Sequence, residues 1–380
     1  MIAPAKRLDT VQEYYFSKKL REVAALAADG KPIINMGIGS PDLKPSPKVL
    51  EAISNSLGDA TAHKYQSYQG LPELREAIAG FYKNKFSVSA NPQNEILPLI
   101  GSKEGIMHIS MAFLNEGDKV LIPNPGYPTY TSVTKLVGAT PEFYNLDASN
   151  NWQPNFEELE QKDLASVKIM WVNYPHMPTG ANGSLETYEK LVAFGKKHNI
   201  LIVNDNPYSF ILNDNPTSIL QVEGAKEIAL ELNSLSKTFA MAGWRVGMLL
   251  GSQKHISEVL KVKSNMDSGM FYGIQKGAIE ALQISDDWYT EQNKEYAKRR
   301  ELIWQLADKL DAKYNKNTPG MFVWAKIPEG KTSEEVTDSV LYDKDIFITP
   351  GTVFGSQGEG YIRFSLCVPQ EKIKEAISRF

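Results

Sequence analysis

Short apolar runs rich in β-branched residues alternate with helix-like stretches through the middle of this chain, and that alternation restricts the fold more than any other feature. The runs are KVLIP (119–123), VKIMWVN (167–173), ILIVND (200–205) and EIALELNS (227–234). Each is short, largely apolar and of strand length. Between them lie stretches such as LETYEKLVAFGKKHN (185–199), with Ser184 ahead of it as an N-cap, whose hydroxyl can take up a free amide of the first turn. Strands buried on both faces and joined by helices make a parallel sheet between helical layers. After about residue 275 the texture changes: a charged helical pattern over 289–310 leads to hairpin-like segments at MFVWAKI (321–327) and YIRFSL (361–366). The expected architecture is α/β. A large domain over 45–275 carries a mostly parallel sheet covered by helices, and residues 1–44 join 276–380 in a smaller α+β domain.

A chain of 380 residues has room for two such units, at about 100–200 residues per domain. Its 42% hydrophobic and 23% charged content is ordinary for a globular protein, which sets disordered and fibrous readings aside. Lys plus Arg number 41 against 45 for Asp plus Glu, a net charge of −4. That balance argues against a nucleic-acid surface and still allows a small anion pocket. No run approaches the ~18 apolar residues of a membrane span, and the opening MIAPAKRLDTVQEYYF lacks the apolar core of a secretory signal. The one cysteine, Cys367, has no partner in the chain for a disulfide, which favours a reducing compartment. A soluble, cytoplasmic protein is the expectation.

Four segments bear candidate chemistry. SLSKTFAMAGWRVG (234–247) directly follows a strand. A lysine just past a buried strand, among small and apolar residues, is placed to lose its proton and act as a nucleophile. Lys237 holds that place, with Ser234 and Ser236 before it and Arg245 after it, between Gly243 and Gly247. Ser234 and Arg245 could hold a phosphate while Lys237 forms an imine; an exposed loop lysine beside an unrelated arginine is the other reading. VNDNPYSF (203–210) puts Asp205 at a strand end and Tyr208 shortly after. Ligands of open α/β sheets bind at such ends, and a buried carboxylate there needs a cationic partner such as a pyridinium nitrogen. A helix N-cap with a packing tyrosine would look the same. In GSKEGIMHISMAFL (101–114) a glycine–serine turn opens a helix, whose free amides can bind phosphate or simply be capped. NYPHMPTGA (173–181) follows a strand and makes a rigid turn, to bind or to bend.

Together these segments resemble the class I/II aminotransferases, pyridoxal-phosphate enzymes of fold type I, over nearly the full chain. Members of that family carry the cofactor lysine in the setting S-x-S-K-x-F/Y-x-M-x-G-x-R-x-G, which SLSKTFAMAGWRVG matches. The resemblance implies that Lys237 is the catalytic Schiff-base lysine and proton shuttle. It implies that Ser102, Lys103, Ser234 and Arg245 hold the phosphate of pyridoxal 5'-phosphate, that Asp205 pairs with its pyridine nitrogen, and that Tyr208 bonds its phenolic oxygen. Tyr127, in PNPGYPTY (123–130), matches an aromatic ring stacked on the pyridine. Tyr65, in HKYQSYQGLPELREAI (63–78), matches a tyrosine that reaches the neighbouring subunit's phosphate, so a homodimer is implied. Arg363 of YIRFSL corresponds to the arginine that binds the substrate α-carboxylate, and Gly39 of MGIGSPDL (36–43) to a glycine on the substrate side of the cleft. The implied reaction moves the amino group of an L-amino acid to a 2-oxo acid. GSKEGI, NYPHMPTG and FGSQGEGYIRFSL look most like the branch that contains LL-diaminopimelate aminotransferase.

One position departs from the pattern. The family's turn reads N-P-T-G, its asparagine donating to the phenolic oxygen, whereas this chain has Met177 there, and a thioether cannot donate. A pyridoxal-phosphate lyase acting on a β-substituted amino acid, such as a carbon–sulfur lyase, would use the same lysine and aspartate. A non-catalytic sensor on this fold would carry a DNA-binding segment, and no basic helix-turn-helix pattern is found here. The histidines (His63, His108, His176, His198, His255) show no metal-ligand spacing, so no metal is expected; His176 lies inside the turn.

Overall fold

In the computed structural model, which describes residues 2–11 and 13–380, the apolar runs become neighbouring strands of a seven-stranded sheet. Met1 and Gln12, both in the N-terminal segment assigned to the smaller domain, lie outside the described residues. After a short strand β1 (Ile34–Asn35), the sheet is built from β2 (Ile96–Leu99), β3 (Lys119–Asn124), β4 (Thr140–Asn145), β5 (Val167–Val172), β6 (Leu201–Asp205), β7 (Ala229–Ser234) and β8 (Gly247–Leu250). Their order is β2-β8-β7-β6-β5-β3-β4. Neighbours from β4 to β7 pair in parallel, and β8 alone runs antiparallel to both strands beside it. Every residue of β6, β7 and β8 is buried, and each Val, Leu or Ile so placed contributes about 1.5–3 kcal/mol. The edge strand β4 is mostly exposed, so its sequence lacks the apolar run that marks the others.

Helices cover both faces. On one, Ile122, Trp171 and Leu232 of the sheet share an apolar cluster with Ile109 of the helix Ser102–Phe113, Val133 of Pro128–Leu136 and Val259 of Gln253–Lys263. On the other, Leu121, Met170 and Ile202 cluster with Phe81 of Pro72–Phe86, Leu191 of Leu185–His198 and Ala278 of Tyr272–Leu282. The helix Leu185–His198 starts where the sequence places it. The Ser184 hydroxyl accepts from the Thr187 amide at 3.1 Å, and Asn199 ends the helix in the left-handed region with φ 54°.

A second, four-stranded antiparallel sheet has the order β12-β13-β10-β9, from β9 (Lys313–Tyr314), β10 (Phe322–Lys326), β12 (Thr349–Pro350) and β13 (Tyr361–Ser365). The segments read as hairpin-like are the adjacent strands β10 and β13. They are not joined as a hairpin, because the helix Ser333–Lys344, β11 (Ile346–Phe347) and β12 come between them. The N-terminal segment packs here: β1 pairs in parallel with β11, and Phe16, Ile34 and Met36 share a cluster with Tyr296, Phe322 and Ile362. Among the described residues no helix is long and apolar enough to cross a membrane.

Candidate active site

A cavity of about 670 Å³ opens where β3, β5, β6 and β7 end, and its wall includes Arg363 of β13, Phe322 of β10 and residues around the start of the helix Tyr15–Ala28. Parallel strands deliver their carboxyl ends to one edge, so residues far apart in sequence converge there. Every site residue expected from the sequence lines this cavity except Tyr65.

One corner is built for an anion. Ser102 begins a helix of 12 residues, behind Gly101 at φ 86°, and its first amides have no partner within the helix. Gly247 lets β8 pass close by, since a β-carbon there would lie 2.6 Å from the Ser102 nitrogen. Ser234 and Ser236 are buried at the end of β7. Arg245, in the left-handed region at φ 57°, is braced by an Nη1 bond to the Ala242 carbonyl at 2.8 Å. Lys103 has its pKa lowered by burial and by the like charge of Arg245, which places two cations at the same corner.

At the end of β6, Asp205 is buried and its carboxyl is pushed up to about 7, chiefly by burial, with Tyr130 and Lys237 pulling the other way. The Tyr130 hydroxyl donates to Oδ2 at 2.8 Å, whereas Oδ1 has no partner. An oxygen left so in a dry site favours a cationic donor facing it. Tyr130 is itself fixed by stacking on Trp171, ring centroids 4.8 Å apart, and meets Tyr127 edge-on at 5.5 Å. Tyr130 lies in PNPGYPTY, where the sequence alone gives it no role. Its position one helical turn after Tyr127 was the available signal.

Lys237 is partly buried, and its pKa is lowered first by burial and then by the cations Arg363 and Arg245. Its Nζ donates to the Gly39 carbonyl at 2.5 Å. Gly39 is hemmed in by the ring of Phe322, which a side chain there would strike. Tyr208 is buried beside Phe322, ring centroids 5.8 Å apart, and burial raises its hydroxyl pKa. In the turn after β5, Asn173 spans the cavity floor: its Nδ2 donates to the Asp205 carbonyl, and its Oδ1 accepts from the Met177 amide at 2.8 Å. His176 is buried within the turn, its Nδ1 2.8 Å from the Thr179 hydroxyl, and burial lowers its pKa to about 3. It packs the loop and does not line the cavity.

Arg363 is buried opposite Trp324 in the β10–β13 ladder. Its Nη2 donates to the Gly37 carbonyl at 2.7 Å and its Nη1 to the Met177 sulfur at 3.2 Å, while Nε has no partner. The guanidinium lies 4.1 Å from the Phe322 ring centre and 4.6 Å from that of Phe354. Burial lowers its pKa to about 10. No carboxylate bonds it among the described residues. Tyr65 stands apart, 91% exposed and away from the cavity.

The raised pKa of Asp205 has a measurable sign. A carboxyl whose pKa rises on folding, here from 3.8 to about 7, adds stability that is complete below the unfolded value and is lost as pH climbs through the folded one. In ligand-free protein, Asp205→Asn should therefore gain on wild type between pH 4 and 8, by a few kcal/mol at the order-of-magnitude level. Urea unfolding at several pH values measures it, and a difference that stays flat across that window refutes it.

The profile of the family described as aminotransferase class I and II matches residues 31–380. The LL-diaminopimelate aminotransferase of Dehalococcoides mccartyi is 39% identical over 378 residues, covering 99% of this chain and 97% of that protein. That of Aquifex aeolicus is 40% identical, covering 98% and 97%. Among solved structures, apo-BacF from Bacillus subtilis superposes with a TM-score of 0.96 at 35% identity, covering all of this chain and 98% of that one.

Proposed function

The chain belongs to the class I and II aminotransferases, and from that premise we propose that its cavity binds pyridoxal phosphate and transfers the amino group of an L-amino acid to a 2-oxo acid. The related proteins are named for transamination, which does not favour the carbon–sulfur lyase. The observation that carries the reading is a lysine amine of lowered pKa in one cavity with a buried carboxylate that has one oxygen free.

The residues suit the cofactor at each of its polar ends. Ser102, Ser234, Arg245, Lys103 and the helix amides at residue 102 would hold its phosphate. Asp205 would take the ring N–H on its free Oδ1 and keep that proton in place, and Tyr127 would lie against the ring. Bound there, pyridoxal phosphate supplies an aldehyde for the substrate amine and a cationic ring that takes up the electron pair left at the α-carbon. Lys237 would hold the cofactor covalently and, with its amine free, would carry the proton of the α-carbon. Arg363 would receive the α-carboxylate on its guanidinium and so fix how the substrate lies. Tyr208 would donate to the phenolic oxygen. Asn173 is committed to the backbone, and Asn206 bonds Thr217 and Glu231. With Met177 unable to donate, Tyr208 would hold that oxygen without help from these asparagines.

Holoenzyme mixed with a reactive L-amino acid should lose its visible absorbance band, and a 2-oxo acid should restore it. Release of ammonia and pyruvate from β-substituted amino acids, without that exchange, would sink the reading.

The same proposal includes a cytoplasmic homodimer, consistent with a free, buried Cys367 and with the exposure of Tyr65, Tyr68, Met266 and Phe271. Tyr65 would reach the partner's phosphate. Tyr65→Phe should weaken cofactor retention about 10-fold or more, the worth of one hydrogen bond to a charged group. Mixing it with Lys237→Ala should leave one competent site per heterodimer; a fully active monomer in sedimentation contradicts the dimer. The division at 45–275 belongs to the proposal too, supported by the separate apolar clusters around the two sheets.

A further inference from the structure

We propose that Glu231, on the face of the seven-stranded sheet turned away from the cavity, is a positioning residue that holds the segments bearing Asp205, Tyr208 and Ser234 in place for the cofactor. The proposal rests on the reading of those three residues as cofactor contacts, and it gives a role to a carboxylate that does not line the cavity.

Side chains alternate between the two faces of a strand. Asp205 lines the cavity, so Asn204 and Asn206 on either side of it belong to the opposite face of the sheet. Across the β6–β7 ladder Asn204 is in register with Glu231, and Asn233 follows two residues later. Four polar side chains thus enter the layer where Ile202 and Ala229 share a cluster with Tyr82 and Leu191. Asn204, Asn206 and Glu231 are 0% exposed in the single chain, so a neighbouring subunit can neither supply nor remove a partner there. Polar groups set in an apolar layer cost stability unless each finds a partner, which makes the choice of partners informative.

Glu231 is the point where they meet. Its Oε1 accepts from the Asn206 Nδ2 at 3.3 Å, and its Oε2 from the Asn204 Nδ2 at 3.2 Å and the Ile219 amide at 3.0 Å. The Ser218 and Tyr82 hydroxyls donate to it as well. All of these are neutral donors, and a carboxylate, which only accepts, can serve them together. One arm runs through Asn206, whose Oδ1 accepts from the Ser209 hydroxyl and whose Nδ2 also reaches the Thr217 carbonyl at 3.0 Å. Asn206 and Ser209 bracket Tyr208, and Asp205 is next in the chain. The other arm runs through Tyr82, whose hydroxyl accepts from the Asn233 Nδ2 at 3.1 Å, while the Asn233 Oδ1 accepts from the Ser234 amide at 2.7 Å. One carboxylate therefore ties the turn after β6 to the end of β7, the two places that give the cavity Asp205, Tyr208 and Ser234. Packing alone needs no such group, since an apolar side chain would fill the layer without a desolvation cost.

The test follows the visible band of holoenzyme loaded with pyridoxal phosphate against pH, in wild type, Glu231→Leu, Glu231→Gln, Asn206→Ala and the double variant Glu231→Leu/Asn206→Ala. When Tyr208 slackens, more negative charge stays on the phenolic oxygen and the proton beside it is held more tightly. Glu231→Leu should thus raise the midpoint by about one pH unit and weaken cofactor retention about 10-fold. Asn206→Ala should match that midpoint and the double variant should go no further, because both changes reach Tyr208 through one arm. Glu231→Gln should recover most of the wild-type midpoint. Its amide oxygen can stay on Asn206 while its nitrogen turns to Asn204, whose Oδ1 has no partner. An unmoved midpoint in Glu231→Leu or Asn206→Ala, shifts that add in the double variant, or Glu231→Gln displaced as far as Glu231→Leu overturns the role. If Glu231→Leu fails to fold, Asn206→Ala and Glu231→Gln decide. If wild type gains no visible band, the cofactor reading falls, and hydrogen exchange in ligand-free protein tests the Glu231 network by itself. Amides over 206–209 should exchange about 10-fold faster in Asn206→Ala than in Glu231→Gln, and equal rates overturn the network.

Discussion

Lys237→Ala should fold, retain cofactor noncovalently and lose transamination by about 10⁴-fold or more, because one amine is proposed to serve both as attachment point and as proton carrier. The groups proposed to hold the cofactor without covalent help, Arg245, Ser234, Asp205 and the helix start at Ser102, come from other positions and survive the change. Removing the Lys237 side chain also frees the Gly39 carbonyl it bonds, which water can satisfy at this partly open wall. The measurements are the rate with amino acid and, on wild type, the peptide that carries cofactor after borohydride reduction. Label on any other lysine, or residual activity near wild type, removes Lys237 from its role.

Arg363→Lys should lower kcat/KM by about 100-fold, mostly through KM, since an ammonium cannot offer a carboxylate two parallel bonds. The planar guanidinium also fits between Phe322 and Phe354 while reaching the Gly37 carbonyl, and a lysine would lose that packing. The visible band should persist, because Arg363 belongs to β13 and not to the elements proposed to hold the cofactor. A KM unchanged within threefold would assign the α-carboxylate to another group.

The sequence showed most clearly what repeats or is chemically unusual. Four buried runs betrayed the core of the sheet, and the SLSKTFAMAGWRVG segment, read with its neighbours, named most of the cavity's polar residues in advance. It was weaker where geometry depends on tertiary contact. β8 is short and runs against its neighbours, and nothing in GMLL states a direction. The β10–β13 pairing spans a helix and two short strands, so local pattern suggested a hairpin that is absent. Tyr130 escaped notice because its partner, Asp205, is distant in sequence and joins it only once the sheet forms. Nothing in the sequence marks Phe16, Leu20, Phe322 and Phe354; only the fold shows that they line the cavity.

The cavity draws its two kinds of wall from different parts of the molecule. Apart from Arg363, Tyr14 and Ser17, the polar residues sit at or just beyond the strand ends of the seven-stranded sheet, or at the helix start beside them. The apolar ones around Arg363 come largely from the N-terminal segment, β10 and the turn at Phe354. Heritable change can therefore act on the two walls separately. Drift in the N-terminal helix or the small sheet can redirect which amino acid is accepted while the constellation around Lys237 stays intact. A lineage built this way can diversify its diet by point mutation, and a protein engineer would begin at Leu20 and Ile38 before touching the sheet.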